Sequence, residues 1–265
     1  MRKQTAILVF LGITAVALLA LFLLKPIAQD PAYHDFADQR KFWGIPNARN
    51  VLSNVPFLFV GIWGVLLVLR TEWGLDSAFL QKEEKYPYLI LFAAVTLVTF
   101  GSGYYHWHPN NNTLLWDRIP MAIGFMALFA AVIGERIAWL WGVRLLPLLI
   151  LAGPLSVLYW YRTETMGRGD LRPYIAVQFL PILLMPVLLL LFPPRYTGGG
   201  KLMAVFGIYG IAKAFEGLDV PIYSGAQFVS GHTLKHCAAA VAVCLLVEMV
   251  RTRRPCELPV PRLQQ

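Results

Sequence analysis

Charge is scarce in this chain. Only 14% of its 265 residues are Asp, Glu, Lys or Arg, against about a quarter in an ordinary soluble domain. That deficit excludes a single water-soluble domain. Intrinsic disorder is excluded as well, because 57% of the residues are hydrophobic and 13% aromatic. Cysteine is also scarce: Cys237, Cys244 and Cys256 make an odd number without a C-x-x-C pair. Neither a disulfide framework nor a cysteine metal site is expected from them. No internal repeat is visible, which weighs against the inverted halves common in secondary transporters.

What is abundant is apolar sequence. Mean hydropathy is +0.58. Apolar runs recur at about 5–24, 51–69, 87–107, 118–134, 143–161, 174–192, 201–218 and 231–250, each near the roughly 20 residues that a membrane-crossing helix needs. The 21 glycines and 18 prolines are tolerable in membrane helices. The expectation is an all-α polytopic membrane protein with three regions: a signal-anchor helix within 1–30, a seven-helix domain over 31–250, and a basic tail over 251–265. The first run follows Arg2 and Lys3 and precedes no A-x-A cleavage signal, so it reads as a retained anchor. Segment 70–86 reads as a loop, and PPRYTGGG at 193–200 as a turn.

The net charge of +8 does not point to nucleic acid. Basic residues flank the apolar runs instead of forming one interleaved patch, which is the positive-inside pattern. With the N-terminus inside and eight alternating spans, the inner segments hold thirteen Lys and Arg and the outer segments eight. Both termini are therefore expected on the cytoplasmic side.

Against this background, ionisable residues in the spans stand out, because each is costly there. His232 and His236 open the last run at spacing i, i+4, one turn apart on one helical face. That spacing offers two nitrogen ligands to zinc. His106 ends the third run and supplies a third. Ser102 lies four residues before it on the same face, and Asp117 lies eleven residues after it. All five fall on the outer side of the alternating map. Three His with an open fourth position is a catalytic zinc arrangement. A nearby carboxylate can then act as general base and acid, and a hydroxyl can stabilise an oxyanion. Other readings stand beside these: Ser102 bonding its own preceding turn, Asp117 capping a helix, and His108, Trp107 and Trp116 as interfacial residues.

Two more polar groups are visible. Lys213 and Glu216, at i, i+3, read as an ion pair, with a supporting role near the metal as the alternative; Asp219 follows them. Before the second span, Asp35, Asp38, Asn47, Asn50, Ser53 and Asn54 offer oxygen atoms of the kind calcium takes, or else helix caps and turns.

The segments NARNVLSN (47–54), GSGYYHWHPNNNTLLWDRIPM (101–121) and SGHTLKH (230–236) resemble the alkaline ceramidase family, most of all its bacterial members, in the superfamily that includes the progestin and adiponectin receptors. The likeness runs in order over about 33–250. It implies a seven-helix bundle with an intramembrane zinc on His106, His232 and His236, and Ser102 and Asp117 as catalytic residues. The implied reaction is hydrolysis of the ceramide amide to sphingosine and a fatty acid. The family's eukaryotic members carry a calcium cluster, which would fall at Asp35, Asp38, Asn47 and Asn50. Here Asn47 stands where that pattern has Glu, and the spacing differs. The expected function is thus a zinc amidohydrolase whose lipid amide enters sideways from the bilayer. The rivals are a receptor-like protein with a structural zinc, and a transporter using Lys213 and Glu216 as relays.

Overall fold

A computed structural model describes residues 2–256. The end of the expected basic tail, Arg262 included, lies outside the described residues. The described chain is helical throughout: α1 (Lys3–Leu23), α2 (Ala48–Leu52), α3 (Val55–Arg70), α4 (Lys85–Trp107), α5 (Asn111–Arg136), α6 (Trp139–Thr165), α7 (Arg172–Leu191), α8 (Gly199–Gly217), α9 (Asp219–Ala226) and α10 (Gly231–Thr252). Seven of the helical segments are long and apolar enough to cross a membrane. The eighth expected span, α8, forms as a helix but carries Lys201, Lys213 and Glu216, and it is not among the seven.

Helix α5 is the most buried of the seven. It packs on α4, α6 and α7, while α10 packs on α8 and α3, and α3 on α4. The start of α5 differs from expectation. Its apolar run begins near residue 118, yet the helix begins at Asn111. Asn110 caps it, accepting from the backbone N–H groups of Asn112 and Thr113 at 2.8 and 3.1 Å. Two polar turns thereby become helix, and Arg118, expected in an outer loop, is buried inside α5.

A close approach of α4 and α5 is built from two residues. Pro120 has no N–H to give to the Trp116 carbonyl one turn back. That carbonyl is pressed against Gly101, where a Cβ would sit 2.2 Å from the oxygen. The contact brings Ser102 and Asp117 to neighbouring positions. On the other flank, a Cβ at Gly231 would sit 2.2 Å from the Phe215 carbonyl, so glycine is what lets α10 begin against α8.

The leading helix is joined firmly to the rest. Arg172 donates to the Leu24 carbonyl at 2.7 Å, and the Leu171 N–H to the Ile27 carbonyl at 2.8 Å. The Gln29 N–H donates to Glu164 at 3.1 Å. Residues 27–30, grouped by sequence with the anchor, form part of the wall of the central cavity.

Candidate metal centre

The three histidines come together from two helix ends. His106 lies in the last turn of α4, and His232 and His236 in the first turns of α10. All three are buried, and one ring nitrogen from each lies within 4.8 Å of the others. The ring centroids are 4.7 to 4.9 Å apart. His106 Nε2 and His232 Nε2 are 3.3 Å apart. Two nitrogens bound tetrahedrally to zinc at about 2.0–2.1 Å would be separated by about 3.3 Å. The donor set therefore fits a transition-metal ion of the kind that imidazole ligands suit, zinc among them.

The orientation of His236 follows from hydrogen-bond counting. Ser53 Oγ donates to the Asn50 carbonyl at 2.9 Å and lies 2.7 Å from His236 Nδ1. A hydroxyl has one proton. With that proton committed to Asn50, Ser53 accepts from Nδ1–H, and the Nε2 lone pair is left for the metal. Ser53 reaches this position because the expected 51–69 helix is broken. Pro56 cannot donate to the Leu52 carbonyl, and α2 and α3 meet at Ser53–Asn54.

His232 is held by the main chain. Asp219 accepts from the His232 N–H at 2.7 Å and from the Ala37 N–H at 3.0 Å, clamping the start of α10 to the loop after α1. Ser230 caps the helix, accepting from the Thr233 N–H at 3.1 Å. Phe36 covers the cluster, its ring centroid 4.7 Å from His106 and 4.8 Å from His232.

Ser102, Asp117 and His236 all line one cavity of about 450 Å³. Both are buried, and the Ser102 hydroxyl stands beside the Asp117 carboxyl. Neither residue takes the alternative reading above. Thr96 on α4 returns its hydroxyl to the Phe92 carbonyl at 2.9 Å, but among the described residues Ser102 makes no such bond. Asp117 lies in the second turn of α5, with capping done by Asn110. Asp117 Oδ1 is buried without a protein partner.

The other expected groups are placed as follows. Glu216 takes an ion pair from Lys213 and a second from Lys235, the latter at 2.9 Å; Lys235 is the partner that sequence spacing did not supply. Of the four residues considered for calcium, Asp38 and Asn50 have their side-chain oxygens engaged with protein donors. Asp38 accepts from Arg40 at 2.7 and 2.8 Å, with Arg49 at 3.7 Å. Burial opposes ionisation of Asp38, but its hydrogen bonds with Arg40 and the charges of Arg40 and Arg49 outweigh this and hold its carboxyl below the usual range. Asn47 Nδ2 donates to the His106 carbonyl at 2.9 Å, and Asn50 Oδ1 accepts from Thr233 at 2.9 Å. Asp35 caps the short turn at 31–34 through its backbone N–H. Within the described residues, the metal-competent cluster of His, Cys, Asp and Glu is the three-histidine one.

Three contributors escaped sequence reasoning: Arg118, Gln29 and Tyr33, which also line the cavity. The signal available for Arg118 was its place beside Asp117. No protein-family model matches the chain, and no curated protein matches it in sequence.

Proposed function

We propose that this protein is an intramembrane zinc-dependent hydrolase that cleaves the amide bond of a ceramide-like N-acyl lipid, releasing a free amine and a fatty acid. The observation that carries the reading is a cluster of three buried imidazoles, one of which, His236, lines a largely apolar cavity together with Ser102 and Asp117. The resemblance to the alkaline ceramidase family supports the same assignment. Zinc, when bound, supplies Lewis acidity toward the acyl carbonyl and makes water a stronger acid.

This chain's residues supply the rest. His106, His232 and His236 hold the metal, and Ser53 fixes the tautomer of His236. Asp117 accepts a proton from the attacking water and delivers it to the departing amine nitrogen. Ser102 donates a hydrogen bond to the oxyanion that develops from the carbonyl oxygen. Water is consumed: its oxygen ends in the fatty-acid carboxyl group, and the amine leaves protonated. The apolar length of the cavity, with Leu91, Leu128, Met185 and Leu246 on its wall, keeps the acyl chain out of water. In this reading the site faces the outer side of a bacterial inner membrane, both termini are cytoplasmic, and the substrate enters from the bilayer.

The test is release of fatty acid from a panel of N-acyl lipids by purified protein, with His232→Ala and Asp117→Asn for comparison. Wild type is expected to release fatty acid. His232→Ala is expected to lose both metal and activity, and Asp117→Asn to lose activity with metal retained. Zinc-loaded, folded wild type that cleaves no N-acyl lipid contradicts the hydrolase reading and favours a structural zinc in a receptor-like protein.

A further inference from the structure

One cation on the cavity wall lacks the carboxylate contact that the others have. Three cations, Arg118, Lys213 and Lys235, and three carboxylates, Asp30, Asp117 and Glu216, line the cavity, and Asp30 is engaged in accepting from the Ala32 N–H at 2.9 Å. The two lysines share the single Glu216 carboxylate. Arg118 is 5% exposed. Its guanidinium carbon lies 4.2, 4.7 and 5.6 Å from the ring centroids of Trp160, Tyr174 and Tyr33. Nη2 donates to Gln29 Oε1 at 2.6 Å, and Nη1 has no hydrogen-bond partner. Among the described residues no carboxylate oxygen comes within 4.0 Å of it.

A second caged arginine shows what a purely structural solution looks like in this same chain. Arg253 sits between the rings of Phe79, Tyr88 and Tyr196, at 4.4 to 4.6 Å. It also has Glu135 at 3.5 Å, and it donates to Tyr88 Oη and the Ala78 carbonyl at 2.8 Å. Arg118 has the cage without the counter-ion. A buried cation costs least when it is paired, and a guanidinium is shaped for two-pronged contact with a carboxylate or phosphate.

We propose that Arg118 receives an oxyanion carried by the polar head of the substrate, so that the lipid amide is an anionic one. This inference rests on the hydrolase reading. Two sources share the chemistry: the carboxylate of an N-acyl amino acid, and the phosphate of an N-acylated phospho-headgroup. Either brings an anionic contact to the guanidinium next to Asp117, with the acyl chain along the apolar wall of the cavity. A neutral N-acyl lipid leaves the Arg118 guanidinium without an anionic contact.

The test is binding of three matched amphiphiles to the full chain in uncharged detergent, by calorimetry or thermal stabilisation. The probes are N-dodecanoylglycine, N-dodecanoyl-phosphoethanolamine and the neutral N-dodecanoylethanolamine. At least one anionic probe is expected to bind about tenfold or more tightly than the neutral one, the scale of one charge-assisted hydrogen bond. Preference for the carboxylate or the phosphate identifies the source. The preference is expected to collapse in Arg118→Gln and to survive in part in Arg118→Lys. Equal binding of all three probes by wild type overturns the inference, and so does a preference unchanged in Arg118→Gln. Where Arg118→Gln does not fold, the wild-type comparison decides. Hydrolysis is followed in the same samples. Anion preference without cleavage of any amide counts against the hydrolase reading alone, and cleavage without anion preference counts against this inference alone.

Discussion

Both ends of the helix bundle bury charge, and they do so in opposite ways. At the end holding the start of α5 and of α10, His106 Nδ1, Asp117 Oδ1 and Arg118 Nη1 lack hydrogen-bond partners beside a cavity of about 450 Å³. At the other end, Arg136 Nε and Arg195 Nε also lack a hydrogen bond, but each arginine faces a carboxylate: Arg253 and Arg136 face Glu135 at 3.5 and 3.7 Å, Arg195 faces Glu84 at 3.0 Å, and Tyr196 donates to Glu84. The cavity there is about 20 Å³. Charge that is answered, around filled space, holds helices together. Charge left open beside space awaits a ligand. The comparison separates a structural cluster from a functional one without reference to residue type, since each end has an arginine in a cage of three aromatic rings.

The comparison can be broken by substitution. The largest effect is expected from Asp117→Asn, which removes the proposed proton acceptor. Amide cleavage should fall by about 10²–10⁴-fold with bound zinc and thermal stability close to wild type; a large loss of stability instead would return Asp117 to a structural role. Next comes Arg253→Met, which removes one of the two buried arginines facing Glu135 and leaves Arg136 at 3.7 Å. A cost of about 3–5 kcal/mol should appear as a marked fall in Tm, while the folded fraction keeps its zinc. Arg118→Met strands no carboxylate, so its cost should be smaller, about 1–2 kcal/mol for the lost hydrogen bond. Equal losses of Tm in the two variants would erase the contrast between the cages.

Ser53→Ala tests the positioning of His236. Zinc affinity should fall by about 10–100-fold, read by competition with a chelator, and restoration by Ser53→Thr would tie the effect to the hydroxyl. The smallest expected effect concerns the loop over the site. The Asp38 carboxyl is held below its usual range, so its contribution to stability is present above the unfolded value of about 3.9. That contribution is lost as pH falls through the lower, folded value. Emission from Trp43, 89% exposed in the same loop, should report an acid-side change that Asp38→Asn removes.

Much of the fold was legible because apolar runs mark spans whatever their packing. Where polar residues belong to a helix, the runs mislead. The stretch NNTLLWDR is helical because Asn110 caps it and α4 and α6 cover it, facts that lie in tertiary structure. Arg118 was accordingly read as a loop residue. The histidines were legible for the opposite reason: an imidazole in an apolar span has few ordinary roles, and the i, i+4 spacing already places two on one face. Their supports were not legible. Ser53 depends on a helix break meeting α10 from 183 residues away, and Gln29 on a strap folding back over α5. Asp38 looked like a hard-cation ligand by composition, whereas its neighbour Arg40 occupies it.

The central claim is that His106, His232 and His236 bind one metal ion in a folded membrane protein. Its most direct test is the zinc content of detergent-purified wild type, His232→Ala and His236→Ala, each shown to be helical and monodisperse. The account predicts about one zinc per wild-type chain and essentially none in either variant. Well-folded wild type that holds no zinc when zinc is supplied, or variants that retain it in full, would contradict the account.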